Sequence, residues 1–117
     1  MIAVVDDEDP VRKALGRLLR SAGFAVQTFS SGSRFLESAQ HVQPSCVLLD
    51  LHMPGLSGLE VQVALSLAGA AVPVIVITAD DTAQSRALAY DQGASAYLGK
   101  PVDGAVLLEA IDAAIAR

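Results

Sequence analysis

The sequence predicts an α/β fold, an open parallel sheet with helices on both faces, and three observations carry that prediction. Short apolar runs alternate five times with longer amphipathic segments. The first, third and fourth runs are almost unbroken in Val, Ile and Leu, as in parallel strands covered on both faces. Each pair of runs is separated by enough chain for a helical crossover, and such crossovers are right-handed, which winds the sheet doubly.

The elements follow in order. Ile2–Val5 is the first strand. Val11, Ala14, Leu15, Leu18 and Leu19 then repeat at helical spacing until Gly23. Asp9 before Pro10 predicts an N-cap followed by proline at the first helical position. Phe24–Phe29 is a second strand and Ser31–Ala39 a short helix with Phe35 and Leu36 inward. Cys46–Leu49 is a third strand, followed by a helix over Leu59–Leu67 that ends at Gly69 and Pro73. Val74–Ile77 is a fourth strand, Thr82–Gln92 a helix closed by Gly93, and Ala96–Leu98 the last strand. Val106, Leu107, Ile111, Ala114 and Ile115 predict the apolar stripe of a final helix.

At 117 residues the chain suits one domain, 1–117, with a single core. The run from first strand to last helix leaves no room for an output domain within it. With 52% hydrophobic and 18% charged residues, it is a buried globule and not a disordered segment. A net charge of −5 argues against direct nucleic-acid binding, which needs clustered Lys and Arg. No apolar stretch reaches the roughly 18 residues of a membrane span, and no signal-peptide pattern precedes the first strand, so a cytoplasmic domain off the membrane is expected. The one cysteine, Cys46, excludes an internal disulfide and sits in an apolar run, which predicts a buried, inert thiol.

In such a sheet every strand points its carboxyl end to one edge, where ligands bind. The first strand ends in Asp6-Asp7, the third in Asp50, the fourth in Thr78 and the last in Gly99-Lys100-Pro101. Five polar residues from four strands therefore converge. Singly, each reads as an ordinary loop acid, strand terminus or solvated lysine; together they read as a site. At about 4 Å and an effective dielectric near 20, each pair of carboxylates repels by roughly 4 kcal/mol. Lys100 supplies one positive charge, and Mg²⁺ among the oxygens of Asp6, Asp7 and Asp50 would supply more. A carboxylate so placed is a phosphoryl acceptor, with Asp50 the nucleophile and Thr78 and Lys100 its catalytic neighbours. Of the remaining acids, Asp9 is read as the helix cap and Glu8 as a surface residue.

The segments VVDDED, LLDLHMPGLSGLE, VIVITAD and AYLGKPVD resemble, in order and over the whole chain, the receiver domain of bacterial two-component response regulators. The resemblance extends to receivers of the nitrogen-fixation and LuxR-type regulators, especially in HMPGLSGLE and GKPVD. It implies a flavodoxin-like strand order 2-1-3-4-5. It implies that Asp7 holds Mg²⁺ directly, Asp6 acts mainly through water, Asp50 is phosphorylated, and His52 adds its backbone carbonyl. Thr78 and Tyr97 match the switch positions, and Lys100–Pro101 the cis peptide. Tyr97 reads either as a half-buried packing residue or as a switch that exchanges an exposed rotamer for an inward one on activation. The imidazole of His52 and the side chain of His41 are expected in solvent. Ala79 would leave the acceptor open, and Asp80 with His52 would tune phosphoryl lifetime.

Implied partners are a sensor histidine kinase or phosphotransfer protein, a DNA-binding output domain outside the chain, and a second copy after phosphorylation. The domain would be no enzyme beyond its own phosphorylation and dephosphorylation. A dinucleotide enzyme would need a G-x-G-x-x-G turn where the acids stand. An aspartyl-nucleophile, Mg²⁺-dependent phosphatase places its acceptor after the first strand and carries a cap. A receiver-like module that is never phosphorylated is the other alternative, and the complete set of acids, Thr and Lys weighs against it.

Overall fold

The computed structural model describes residues 1–116; Arg117, the end of the expected domain, lies outside the described residues. Five β/α units follow one another: β1 (Ile2–Val5), α1 (Asp9–Ser21), β2 (Val26–Phe29), α2 (Gly32–Ala39), β3 (Cys46–Asp50), α3 (Gly58–Leu67), β4 (Val74–Thr78), α4 (Ala83–Asp91), β5 (Ala96–Gly99) and α5 (Gly104–Ile115). All strand pairs are parallel, and their order is β2-β1-β3-β4-β5. The expected fold and strand order are both present.

The period-two pleat divides the core into two. Ile2, Val4, Cys46, Leu48, Ile75 and Ile77 face α1 and α5, where they meet Leu15, Leu19, Leu107 and Ile111. Ala3, Val5, Val47, Leu49, Val74 and Val76 face the opposite side and meet Phe35, Val61, Leu65 and Ala89. Every residue of β1, β3 and β4 is buried, which is why those segments read as continuous apolar runs. Cys46 is inside as expected, and burial pushes its thiol up to about 11.

Three local expectations are corrected. Phe24 precedes β2, which begins at Val26. The N-cap of α1 is Glu8, and it makes no side-chain cap bond; Asp9 is already helical. Proline as second helical residue removes one N–H that a cap would accept from. The Glu8 carboxylate is drawn instead to Lys100, and Asp9 pairs with Arg12 one turn along. On α5, Leu107, Ile111 and Ala114 occupy the buried seam, while Val106 and Ile115 flank it and are exposed.

The loop after β3 re-enters helix through a capping box: Ser57 Oγ accepts from the Glu60 N–H at 3.2 Å, and Glu60 Oε1 accepts from the Ser57 N–H at 2.9 Å. Ser57→Ala should lower stability by about 1 kcal/mol in urea unfolding. An unchanged midpoint would show that α3 is held by packing alone.

Candidate functional site

Strand register sets the site. Val5 lies beside Leu49 and Asp50 beside Ile77, so Asp6, Asp50 and Thr78 all emerge at one edge. Thr78 pairs with Gly99, which brings Lys100 there as well. Asp6 continues the alternation of Ile2 and Val4, and Asp50 that of Cys46 and Leu48. Both acids therefore stand on the α1–α5 side of the sheet. Thr78 continues Val74 and Val76 on the α2–α4 side, where Tyr97 is also packed.

One carboxylate oxygen from each of Asp6, Asp7 and Asp50 lies within 4.8 Å of the others. Asp6 is fully buried and Asp50 nearly so. Lys100 Nζ stands 2.9 Å from Asp6 Oδ2, 3.0 Å from Glu8 Oε1 and 3.4 Å from Asp50 Oδ2. The Lys100–Asp6 contact is an ion pair without the alignment of a hydrogen bond, which leaves Asp6 Oδ2 buried and short of a directed partner. Burial, and next the charge of Asp6, push the Asp50 carboxyl up to about 6, against the opposing pull of Lys100 and the His52 N–H. Burial works against the charge on Lys100, but the ion pair with Asp6, the hydrogen bond to Glu8 and the charge of Asp50 outweigh it, so its pKa lies above the ordinary lysine value.

A hard divalent cation fits this donor set. Three carboxylates face one another with one ammonium among them, and one oxygen is buried without an aligned donor. Such clustered oxygens suit Mg²⁺ or Ca²⁺ and not a soft thiophilic metal.

The surrounding backbone holds the acids in place. The Glu8 N–H donates to Asp6 Oδ1 at 2.9 Å, and Arg12 donates to the Asp6 carbonyl at 2.7 Å. The His52 N–H donates to Asp50 Oδ1 at 3.3 Å, and Thr78 Oγ1 accepts from the Asp80 N–H at 3.1 Å. The Lys100–Pro101 peptide is cis, as expected, and the Lys100 N–H donates to the Thr78 carbonyl at 2.8 Å.

The model of the response regulator receiver domain family matches residues 2–112. The chain belongs to this family. The receiver is 37% identical over 116 residues to the transcriptional regulatory protein FixJ of Azorhizobium caulinodans, covering 99% of this chain and 55% of that protein. It is 42% identical over 115 residues to the transcriptional regulatory protein TdiR of Thauera aromatica, covering 98% of this chain and 51% of that one. The chain thus spans about half the length of these curated relatives. The crystal structure of FixJ-N superposes with a TM-score of 0.92 at 36% identity, covering 99% of this chain and 93% of that one. A receiver domain of this kind is the phosphoacceptor switch of two-component signalling, and its likeness to FixJ and TdiR agrees with the resemblance carried by the sequence motifs.

The receiver brings Asp6, Asp7, Asp50 and Lys100 together, with His52 beside them through its backbone N–H. The His52 imidazole is exposed as expected, with Nε2 3.6 Å from Asp80 Oδ2. His41 and Ala79 are also exposed. Tyr97 is a correction: its ring already points inward at 5% exposure. Arg86 of α4 covers it, its guanidinium carbon 5.0 Å from the ring centroid, and Tyr90 lies beside it at 6.4 Å.

Glu8 is a second correction, since it shares Lys100 with the buried acids. Arg12 and Gly58 were not singled out from the sequence. A Cβ on Gly58 would stand 2.3 Å from the Asp50 carbonyl oxygen, so only glycine lets α3 approach the end of β3 this closely. The short MPGLSGLE turn hints at that approach, whereas nothing local marks Arg12.

The raised pKa of Asp50 fixes a pH dependence. The unfolded carboxyl titrates near ~3.9, so between that pH and about 6 the folded protein holds the extra proton. The contribution of this group to stability therefore falls as pH rises through the window, and the full penalty stands above it. In chelator, Asp50→Asn should be more stable than wild type at pH 7, with the difference shrinking towards pH 4 in thermal melts. A difference constant with pH would remove Asp50 as its source.

Proposed function

We propose that Asp50 accepts a phosphoryl group from the phosphohistidine of a sensor histidine kinase or phosphotransfer protein. The observation that carries this reading is the Asp50 carboxylate, nearly buried at the end of a central strand, with Lys100 Nζ 3.4 Å away and two further carboxylates beside it. One Asp50 oxygen attacks phosphorus. The P–N bond breaks, and its electron pair stays on the imidazole. Lys100, held charged by Asp6 and Glu8, neutralises negative charge on the transferring group. The Thr78 hydroxyl donates to a phosphoryl oxygen after turning from the Asp80 N–H.

Asp7, Asp50, the His52 carbonyl and, mainly through water, Asp6 would hold Mg²⁺. When bound, the ion neutralises charge on the acceptor and phosphoryl oxygens. The chain's chemistry is confined to its own phosphorylation and dephosphorylation, with Asp80 and His52 at the mouth of the site setting phosphoryl lifetime.

The phosphoryl group adds roughly −1.5 to −2 charges and biases two arrangements of the α4–β5–α5 face. Thr78 and Tyr97 are the levers. Because the Tyr97 ring is already inward, the change that frees it falls on its cover: Arg86, tied to Asp81 at 3.3 Å, shifts with the β4–α4 loop.

Residues 1–117 form one receiver unit of a cytoplasmic regulator. Among the described residues no helix is long and apolar enough to cross a membrane. A relative 35% identical over 114 residues is named DNA-binding transcriptional regulator NtrC, from Klebsiella pneumoniae. That name supports a DNA-binding output segment outside this chain, and the −5 charge supports none within it. Phosphorylation would favour a homodimer through the α4–β5 side.

Acetyl phosphate with Mg²⁺ should add one base-labile phosphoryl group to the wild type and none to Asp50→Asn. Asp7→Ala should fold but lose the Mg²⁺-dependent labelling. Label retained in Asp50→Asn would move the acceptor elsewhere, and normal labelling of Asp7→Ala in chelator would end the metal reading. The phosphorylated sample should sediment as a dimer; an unchanged mass would refute the proposed dimer.

A further inference from the structure

Helix α4 is held to the domain at one end. Ala89 is its one buried residue, near the C-terminus, while Ala83, Gln84, Ala87 and Leu88 are exposed. Its last turn closes on itself: the Gly93 N–H donates to the Tyr90 carbonyl at 2.9 Å and the Ala94 N–H to the Ala89 carbonyl at 3.1 Å. Gly93 takes the positive φ of 93° that this Schellman closure requires.

The Ala89 carbonyl has a second donor. Gln62 of α3, 2% exposed, reaches it with Nε2 at 3.1 Å. The other amide atom, Gln62 Oε1, is buried without a partner. A half-satisfied buried amide is destabilising relative to an apolar side chain of similar size. Packing alone would therefore favour leucine or methionine here, and the bond to Ala89 is what glutamine adds.

The other end of α4 is loose. A groove of about 190 Å³, lined by Leu51, His52, Ser57, Leu59, Ser85 and Leu88, separates its first turns from the start of α3. Its attachments there both run through Arg86, whose guanidinium lies over the Tyr97 ring at 5.0 Å and pairs with Asp81, the two charged side chains being 50% and 42% exposed. Exposed pairs of this kind hold weakly.

We propose that Gln62 is a positioning residue, the pivot of α4: the helix swings its N-terminal half over the groove while its C-terminal turn stays fixed to α3. The inference rests on the phosphoacceptor reading for its trigger. The β4–α4 loop leaves the site at Thr78 and enters α4 at its free end, so a pull on Thr78 reaches the mobile half first and leaves Ala89 in place.

The test is amide hydrogen exchange of the full chain with and without acetyl phosphate and Mg²⁺, after intact mass has established phosphorylation. In wild type, phosphorylation should change exchange in residues 82–88 by about fivefold or more and leave 89–94 within about twofold. In Gln62→Leu, which removes the bond and the orphaned oxygen together, the change should spread through 89–94 whether the melting temperature rises or falls. A purely structural glutamine would shift the melting temperature and leave the partition between the two halves intact. Equal change in both halves of the wild type overturns the pivot, as does an unaltered partition in Gln62→Leu. The wild-type comparison decides the matter even if the variant folds poorly. Absence of the phosphoryl mass overturns instead the reading on which the trigger depends.

Discussion

Three carboxylates share one ammonium at the carboxyl edge of the sheet, and the rest of the receiver is arranged around that imbalance. At a few ångströms and an effective dielectric near 20, each like-charge pair is unfavourable by about 4 kcal/mol. Lys100 can neutralise one such charge, and it is divided between Asp6, Glu8 and Asp50. The remaining cost is visible in Asp50, whose carboxyl is pushed up to about 6 by burial and by Asp6. A site left in this condition favours whatever brings positive charge. In the proposed transfer it also keeps the Asp50 carboxylate close to a cation that would meet the incoming phosphoryl oxygens.

The sheet keeps the charged cluster and the proposed levers, Thr78 and Tyr97, apart. Asp6 and Asp50 follow the pleat on the α1–α5 side, while Thr78 and Tyr97 follow it on the side covered by α4. Thr78 touches both, since it sits at the shared edge and its carbonyl accepts from the Lys100 N–H. The hydroxyl thus stands where an electrostatic event on one face can become a packing event on the other. Tyr97 fits that view as a residue already buried, whose cover and not whose position is the adjustable part.

The fold was legible because periodicity and topology are local signals that add up. Unbroken runs such as Val74–Ile77 require cover on both faces, and right-handed crossovers then align all strand ends. Aligned strand ends in turn bring Asp6, Asp50, Thr78 and Lys100 to one edge. What stayed hidden depends on which of several neighbours a side chain prefers. Asp9 looked like a cap, but Pro10 removes a donor, and Glu8 answers to a lysine 92 residues away. Val106 and Ile115 fit a helical stripe as well as Leu107 does, and only the position of the seam excludes them. Gln62 reads as an ordinary polar residue until its bond to Ala89, 27 residues on, is seen. Gly58 hides its role for the same reason, since the backbone it must admit belongs to another element.

Whether the crowded carboxylates make a place for a divalent cation is read most directly from the thermal midpoint of the metal-free protein as Mg²⁺ is added at pH 7. The midpoint of the wild type should rise with concentration, reaching about 2.7 kcal/mol of added stability at a hundredfold excess over the dissociation constant. Asp7→Ala, which begins no less stable because one repulsive charge is gone, should show almost none of that rise. A wild type indifferent to Mg²⁺, or an Asp7→Ala variant stabilised as much as the wild type, would contradict a cation site among these acids.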